Sequence, residues 1–160
     1  MDPEKTVFRV ASISKTITAT AIMQLVDERR IDLNDALETN FQTIHLENTF
    51  SVPITVRHLL THTGGFDERT IGTKSPIESE IPPRGDYLAH RMPPVVRPPG
   101  DVFCYSNHGY ALAGYLVEEV SRVPFSQYVQ ENILRPLSMS QSGFGPDERL
   151  LSEMAAGYKR

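Results

Sequence analysis

The apolar positions change period once within the first thirty residues. Val7 to Ala11 (VFRVA) alternates like a short strand. From Ser12 to about Arg29 the pattern predicts one long helix, with Ser12 as an N-cap or first-turn residue and Ala19, Ala21, Met23, Gln24 and Leu25 as good helix formers. Between Val10 and Val26 the only charged residue is Lys15. A surface helix carries charge on nearly every turn, so this one is expected to be buried on most sides. Ile31 to Asp35 reads as a turn opening a short helix, and Thr55 to His62 as a second, capped by Thr55, striped by Val56, Leu59 and Leu60 and ended by Gly64.

Residues 67–100 lose periodicity and hold seven of the 12 prolines, which predicts a long surface excursion with one helical turn around Asp86 to Arg91. Ser106 to Ser121 is the second strong helix, with Leu112, Leu116 and Val120 four apart, Ser106 as cap, and Glu118 and Glu119 at an exposed end. Gly109 and Ala113 on it would let another helix approach closely. Pro124 opens a third helix that buries Phe125, Tyr128, Val129, Ile133 and Leu134. Beyond Pro136 the pattern dissolves, and Met154 to Arg160 reads as the start of a strand.

Composition narrows the function classes. The chain has 160 residues, 39% hydrophobic and 22% charged, as in an ordinary soluble domain. Its net charge of -4 does not suit nucleic acid, which asks for a basic face. No stretch approaches the length of a membrane span, and the polar start (MDPEKTVFRV) is not a signal peptide. One cysteine, Cys104, rules out an internal disulfide framework and a multi-cysteine zinc site.

The lone lysine of the first helix poses the chemical question. Burying an unpaired ammonium is expensive, so Lys15 calls for a partner. It follows Ser12 by three residues, which puts both side chains on one helical face. A serine at a helix N-terminus with a lysine one turn on suits nucleophilic catalysis, because a neutral lysine takes the hydroxyl proton and the helix dipole favours an oxyanion. Chance supplies roughly 0.3 Ser-x-x-Lys matches in such a chain, so the motif does not carry the reading alone. Tyr105-Ser106-Asn107 adds a phenol and an amide two apart in an extended segment, the first able to relay protons, the second to bind a carbonyl or hold the lysine. His58 and His62, four apart, lack a third metal ligand and are assigned structural roles. Cys104 is read as a small hydrophobe, His108 as solvent-exposed, and Ser14 as a rival nucleophile without a lysine three residues on.

Order and flanks sharpen this. Phe8 to Thr16 (FRVASISKT), Leu59 to Gly65 (LLTHTGG) and Tyr105 to Tyr110 (YSNHGY) together resemble the serine β-lactamase and penicillin-binding-protein superfamily, on its class C branch. That branch also includes D,D-carboxypeptidases, D-aminopeptidases and esterases. Ile22 to Val26, Ala113 to Glu118 and Pro136 to Met139 extend the resemblance over nearly all the chain outside the proline-rich excursion. It implies an α+β, β-lactamase/transpeptidase-like fold, here truncated to mostly the helical lobe with little strand. It also implies an acyl-enzyme mechanism on a β-lactam, D-Ala-type peptide or ester. Ser12 matches the acylated nucleophile, Lys15 the activating lysine of the SxxK motif, Tyr105 the proton shuttle of the YxN motif and Asn107 its substrate-binding amide. The backbone N–H of Ser12 would form half of an oxyanion hole. Neither a metal nor an organic cofactor is implied.

The departures from the family pattern set a second expectation. The Lys- or His-x-Gly motif that follows YxN in the family has no counterpart before Arg160, nor do the first sheet strands precede residue 6. His62-Thr63-Gly64 resembles that motif but lies before Tyr105, and it matches instead a family segment with a structural role beside the site. Residues 1–160 are thus expected to be a partial serine hydrolase domain, with residues 67–100 an excursion within it. The alternative is a catalytically incomplete relative acting as a binding or structural module. The implied partners are a small amide, β-lactam or ester and, through open sheet edges, a second copy or a complementing chain. The family resemblance implies action outside the cytoplasm or at a membrane, with a cytoplasmic location left open.

Overall fold

The computed structural model of the chain describes residues 2, 5–41, 44–69, 82–145 and 148–156. Its first regular element is a 3-10 turn, Ala11–Ile13, that runs into helix α1, Ser14–Asp27. A 3-10 turn at Leu37–Thr39 precedes α2 (Val56–Leu60) and α3 (Arg84–Arg91). Then come α4 (Asn107–Ser121), α5 (Phe125–Val129) with a π-helical turn at Gln130–Leu134, and α6 (Glu148–Ser152). The expected little strand reduces, among the described residues, to three isolated bridges: Val7–Met154 parallel, Ala36–Thr55 and Phe66–Val95 antiparallel.

Helix α4 is the hub, packed against α1, α2, α3 and α5. Its sequence explains why. Leu112, Ala113, Leu116 and Val117 recur at helical spacing and are fully buried, and they meet Ala21, Ile22 and Leu25 of α1, Val56 and Leu59 of α2 and Leu88 of α3 in one core. Burying each leucine contributes about 2 kcal/mol of transfer free energy. Ser106 caps α4 by accepting from the Gly109 N–H at 3.0 Å, and Arg122 ends it in the left-handed region. α3 comes close to α4 at Gly85, where an added Cβ would stand 2.8 Å from the Tyr115 ring.

Several expectations change here. Only Val7 of the 7–11 segment pairs, bonding to Glu153 O and Ala155 N, and Ala11 already belongs to the 3-10 turn. Met154 is the other half of that bridge, while residues 157–160 lie outside the described residues. α1 buries a single face, Thr18, Ala21, Ile22 and Leu25, while its Met23 is 45% exposed. Glu118 is not an exposed terminus: its carboxylate accepts from Arg84 and from the Phe125 N–H, both at 2.9 Å, and ties α3, α4 and α5 together. The proline-rich stretch is more than a surface excursion, because Leu88, Pro93, Val95 and Pro99 are buried. Gly65 permits the Phe66–Val95 bridge: its φ is +75°, and a Cβ there would meet Arg97 O at 2.1 Å. Residues 70–81 of the stretch lie outside the described residues. His108, expected in solvent, is 2% exposed and bonds through Nε2 to the Tyr87 hydroxyl at 3.1 Å. It sits on the face of α4 that packs inward, and burial lowers its pKa.

Candidate active site

Ala11 has φ +46°, a conformation that residues with a side chain seldom adopt. The backbone therefore turns sharply into the 3-10 turn and leaves Ser12 exposed at the N-terminal end of α1. One helical turn on, Lys15 Nζ lies 3.3 Å from Ser12 Oγ. Ser14 does not compete, because its hydroxyl donates to Ala11 O at 2.7 Å.

The second half arrives from the segment that leads into α4. Tyr105 extends its hydroxyl to Ser12 Oγ, 2.8 Å away, and Asn107 turns Oδ1 to accept from Lys15 Nζ, also at 2.8 Å. All four residues singled out in the sequence meet in one cluster, closed by contacts across more than ninety residues of chain. The Lys15 ammonium stands 4.9 Å above the Tyr105 ring and 5.7 Å from that of Tyr110. Hydrogen bonding with Lys15 first, and with Ser12 second, holds the Tyr105 phenol below its ordinary range. A hydroxyl set between a lysine and an acidified phenol can give its proton to the lysine in its neutral form or to the phenolate, and attack a carbonyl.

His62 supports this arrangement from beneath. It follows α2 with φ +57°, and its Nδ1 accepts the Ser106 N–H at 3.1 Å while its own carbonyl accepts the Cys104 N–H at 2.7 Å. The ring stacks on Tyr105 at 4.4 Å between centroids and lies 4.8 Å from Tyr110. Burial, with Lys15 nearby, lowers its pKa and keeps Nδ1 free to accept. His58 Nδ1 accepts the Thr55 N–H in the capping box of α2. With both Nδ1 lone pairs engaged, the pair presents no metal-binding face, and no group of three metal-ligating side chains occurs among the described residues. Cys104 is half-buried, with Sγ 3.8 Å from Phe66 O.

One residue at the site escaped the sequence reading. Glu68 accepts from Asn107 Nδ2 at 3.0 Å and from the Asn107 N–H at 3.4 Å. It lies in no recognisable motif, and only its position just after Gly64-Gly65 offered a hint.

Comparison with known proteins bears on the family and the fold. The Beta-lactamase family matches residues 2–160. The protein flp of Staphylococcus aureus (strain MW2) is 29% identical, over 96% of this chain and 31% of its own length. Among solved structures, the penicillin binding protein from Bacillus halodurans superposes with a TM-score of 0.81 at 31% identity, covering 98% of this chain and 48% of that one. The octameric penicillin-binding protein homologue from Pyrococcus abyssi gives 0.77 at 32% identity, covering 97% and 37%. The chain thus spans 31% to 48% of the length of these relatives.

Proposed function

The chain belongs to the β-lactamase family, and from that premise we propose that it carries the acylating centre of a serine hydrolase acting on an amide, β-lactam or ester. Ser12 Oγ attacks the substrate carbonyl carbon while its proton moves to the neutral amine of Lys15 or to the phenolate of Tyr105. The carbonyl oxygen takes the negative charge and faces the Ser12 backbone N–H. The tetrahedral intermediate collapses, the bond to the leaving group breaks, and Tyr105 returns a proton to that group. An ester between the acyl group and Ser12 remains, and water later hydrolyses it. Asn107 holds Lys15 in register and offers an amide hydrogen to the substrate.

The observation that carries this reading is the convergence on Ser12 Oγ of Tyr105 Oη at 2.8 Å and Lys15 Nζ at 3.3 Å. Incubation with a fluorophosphonate and with a fluorescent penicillin tests it by intact mass. An adduct on the chain, absent in Ser12→Ala, is expected. Folded chain that takes neither label sinks the proposal.

The second reading is the catalytically incomplete relative set out from the sequence. In it, the domain keeps the fold and the acylating cluster but lacks turnover, acting as a binding module. The same experiment separates the two: labelling followed by release of the acyl group supports the enzyme, and labelling without release supports the module.

A further inference from the structure

Resting on the reading of Ser12 as the acylated residue, we propose that Glu68 is a specificity residue, selecting acyl donors that carry a free, protonated amine beside the reacting carbonyl. The Asn107 carboxamide is fixed from two sides, with Oδ1 accepting from Lys15 Nζ at 2.8 Å and Nδ2 donating to Glu68 Oε1 at 3.0 Å. Its orientation is thereby determined, and its second amide hydrogen stays available to substrate. Glu68 stands three hydrogen bonds from the Ser12 hydroxyl, through Asn107 and Lys15.

The carboxylate is exposed, and none of the ion pairs among the described residues involves it. Two carboxylate oxygens offer about four acceptor positions, and Asn107 uses two. The remaining ones belong to an exposed side chain. Tyr105 serves the leaving group in the proposed reaction, so the acyl portion lies along Lys15, Asn107 and Glu68. An ammonium arriving there meets the positive field of Lys15, which by itself repels it. Glu68 supplies the opposing charge. An acylated, neutral amine gains nothing from the carboxylate and forfeits the charge-assisted bond.

The test compares the benzyl thioesters of alanine and N-acetylalanine, in both configurations, at pH 7, where an α-amine with pKa near 8 is mostly protonated. Thiol release reports acylation whether or not the acyl group later leaves. The quantity read is the ratio of kcat/KM, or of the acylation rate constant, for the free amine over the N-acetyl donor. In the natural chain this ratio is expected to exceed one, and in Glu68→Gln to fall by about tenfold to hundredfold, the range for a lost hydrogen bond to a charged group. Glutamine retains an acceptor for Asn107, so the substitution removes charge while keeping the positioning contact. Glu68→Ala removes both, and its ratio is expected to fall as far. A ratio that stays put in both variants, even if both rates drop together, overturns the proposal and leaves Glu68 as a support for Asn107. Labelling of Ser12 by the fluorophosphonate with no release from either thioester also overturns it, while the nucleophile assignment stands. Absence of fluorophosphonate labelling removes the nucleophile assignment itself and this inference with it.

Discussion

Tyr105 meets Ser12 at 2.8 Å, and its phenol is acidified by hydrogen bonding with Lys15 and with Ser12 itself. That acidification suits a group that must give a proton to the leaving group and then take one back. Tyr105→Phe keeps the ring that stacks on His62 but deletes the hydroxyl. Its second-order rate of fluorophosphonate-independent acylation, measured with an ester substrate, is expected to fall about 10²- to 10⁴-fold. An unchanged rate would leave Lys15 as sole proton carrier. At this scale the sequence was informative wherever chemistry demanded rare neighbours. A lysine in a charge-poor helix and a Tyr-x-Asn pair, read with their order and flanks, singled out four residues that the fold brings together. Glu68 was not legible, because an exposed glutamate in a polar loop looks like any solvated charge until Asn107 is seen against it. His108 was misread for a related reason. Its place on the inward face of α4 depends on where Tyr87 lies, and that contact joins residues from different segments.

The helices were legible from periodicity and caps, since both are local. Thr55 caps α2 and Ser106 caps α4 as their sequences suggest. The Ser106 cap has a functional side, because it sets the backbone between Tyr105 and Asn107 as α4 begins. Ser106→Ala removes the acceptor for the Gly109 N–H and is expected to cost about 1 kcal/mol, or a Tm lower by about 2–4 °C. Thermal unfolding followed by circular dichroism measures this; an unshifted Tm would mean that the His62 contact to Ser106 N–H alone holds the start of α4. The strand expected at residues 7–11 was over-read. Val7 to Ala11 alternates, but a strand needs a partner along its length, and Val7 alone finds one in Met154. The charge-poor sequence of α1 suggested burial on most sides, whereas Met23 is exposed, as is Ile13 in the turn before it. A hydrophobic pattern states what a surface can pack against; among the described residues, α1 packs on α4, α5 and the π-helical turn after α5.

Across the whole molecule, three histidines link stability to pH. His58 caps α2, His62 joins α2 to the start of α4, and His108 fills the space between α3 and α4. In each, the folded-state pKa is lowered, with burial as the leading cause. The charges around them differ in sign: Arg57 lowers His58, Lys15 lowers and Glu68 raises His62, and Glu68 raises and Arg69 lowers His108. A histidine whose folded pKa lies below its unfolded value of about 6.5 binds fewer protons when folded, so stability rises with pH through that window. It is complete above about pH 6.5 and declines as pH falls through the folded-state values. Ordinary carboxylates titrate near 4, so the interval from pH 7.5 to 5.5 isolates the histidines. Urea unfolding is expected to show a lower midpoint at pH 5.5 than at 7.5. Protonation of His62 also removes the acceptor for the Ser106 N–H, so Ser12 labelling should slow over the same interval. His108→Gln retains a polar partner for Tyr87 but does not titrate, and it should narrow the difference in midpoint. A midpoint that is constant or higher at pH 5.5 would show that these imidazoles accept protons in place, and that the neutral network joining α2, α3 and α4 does not constrain the fold.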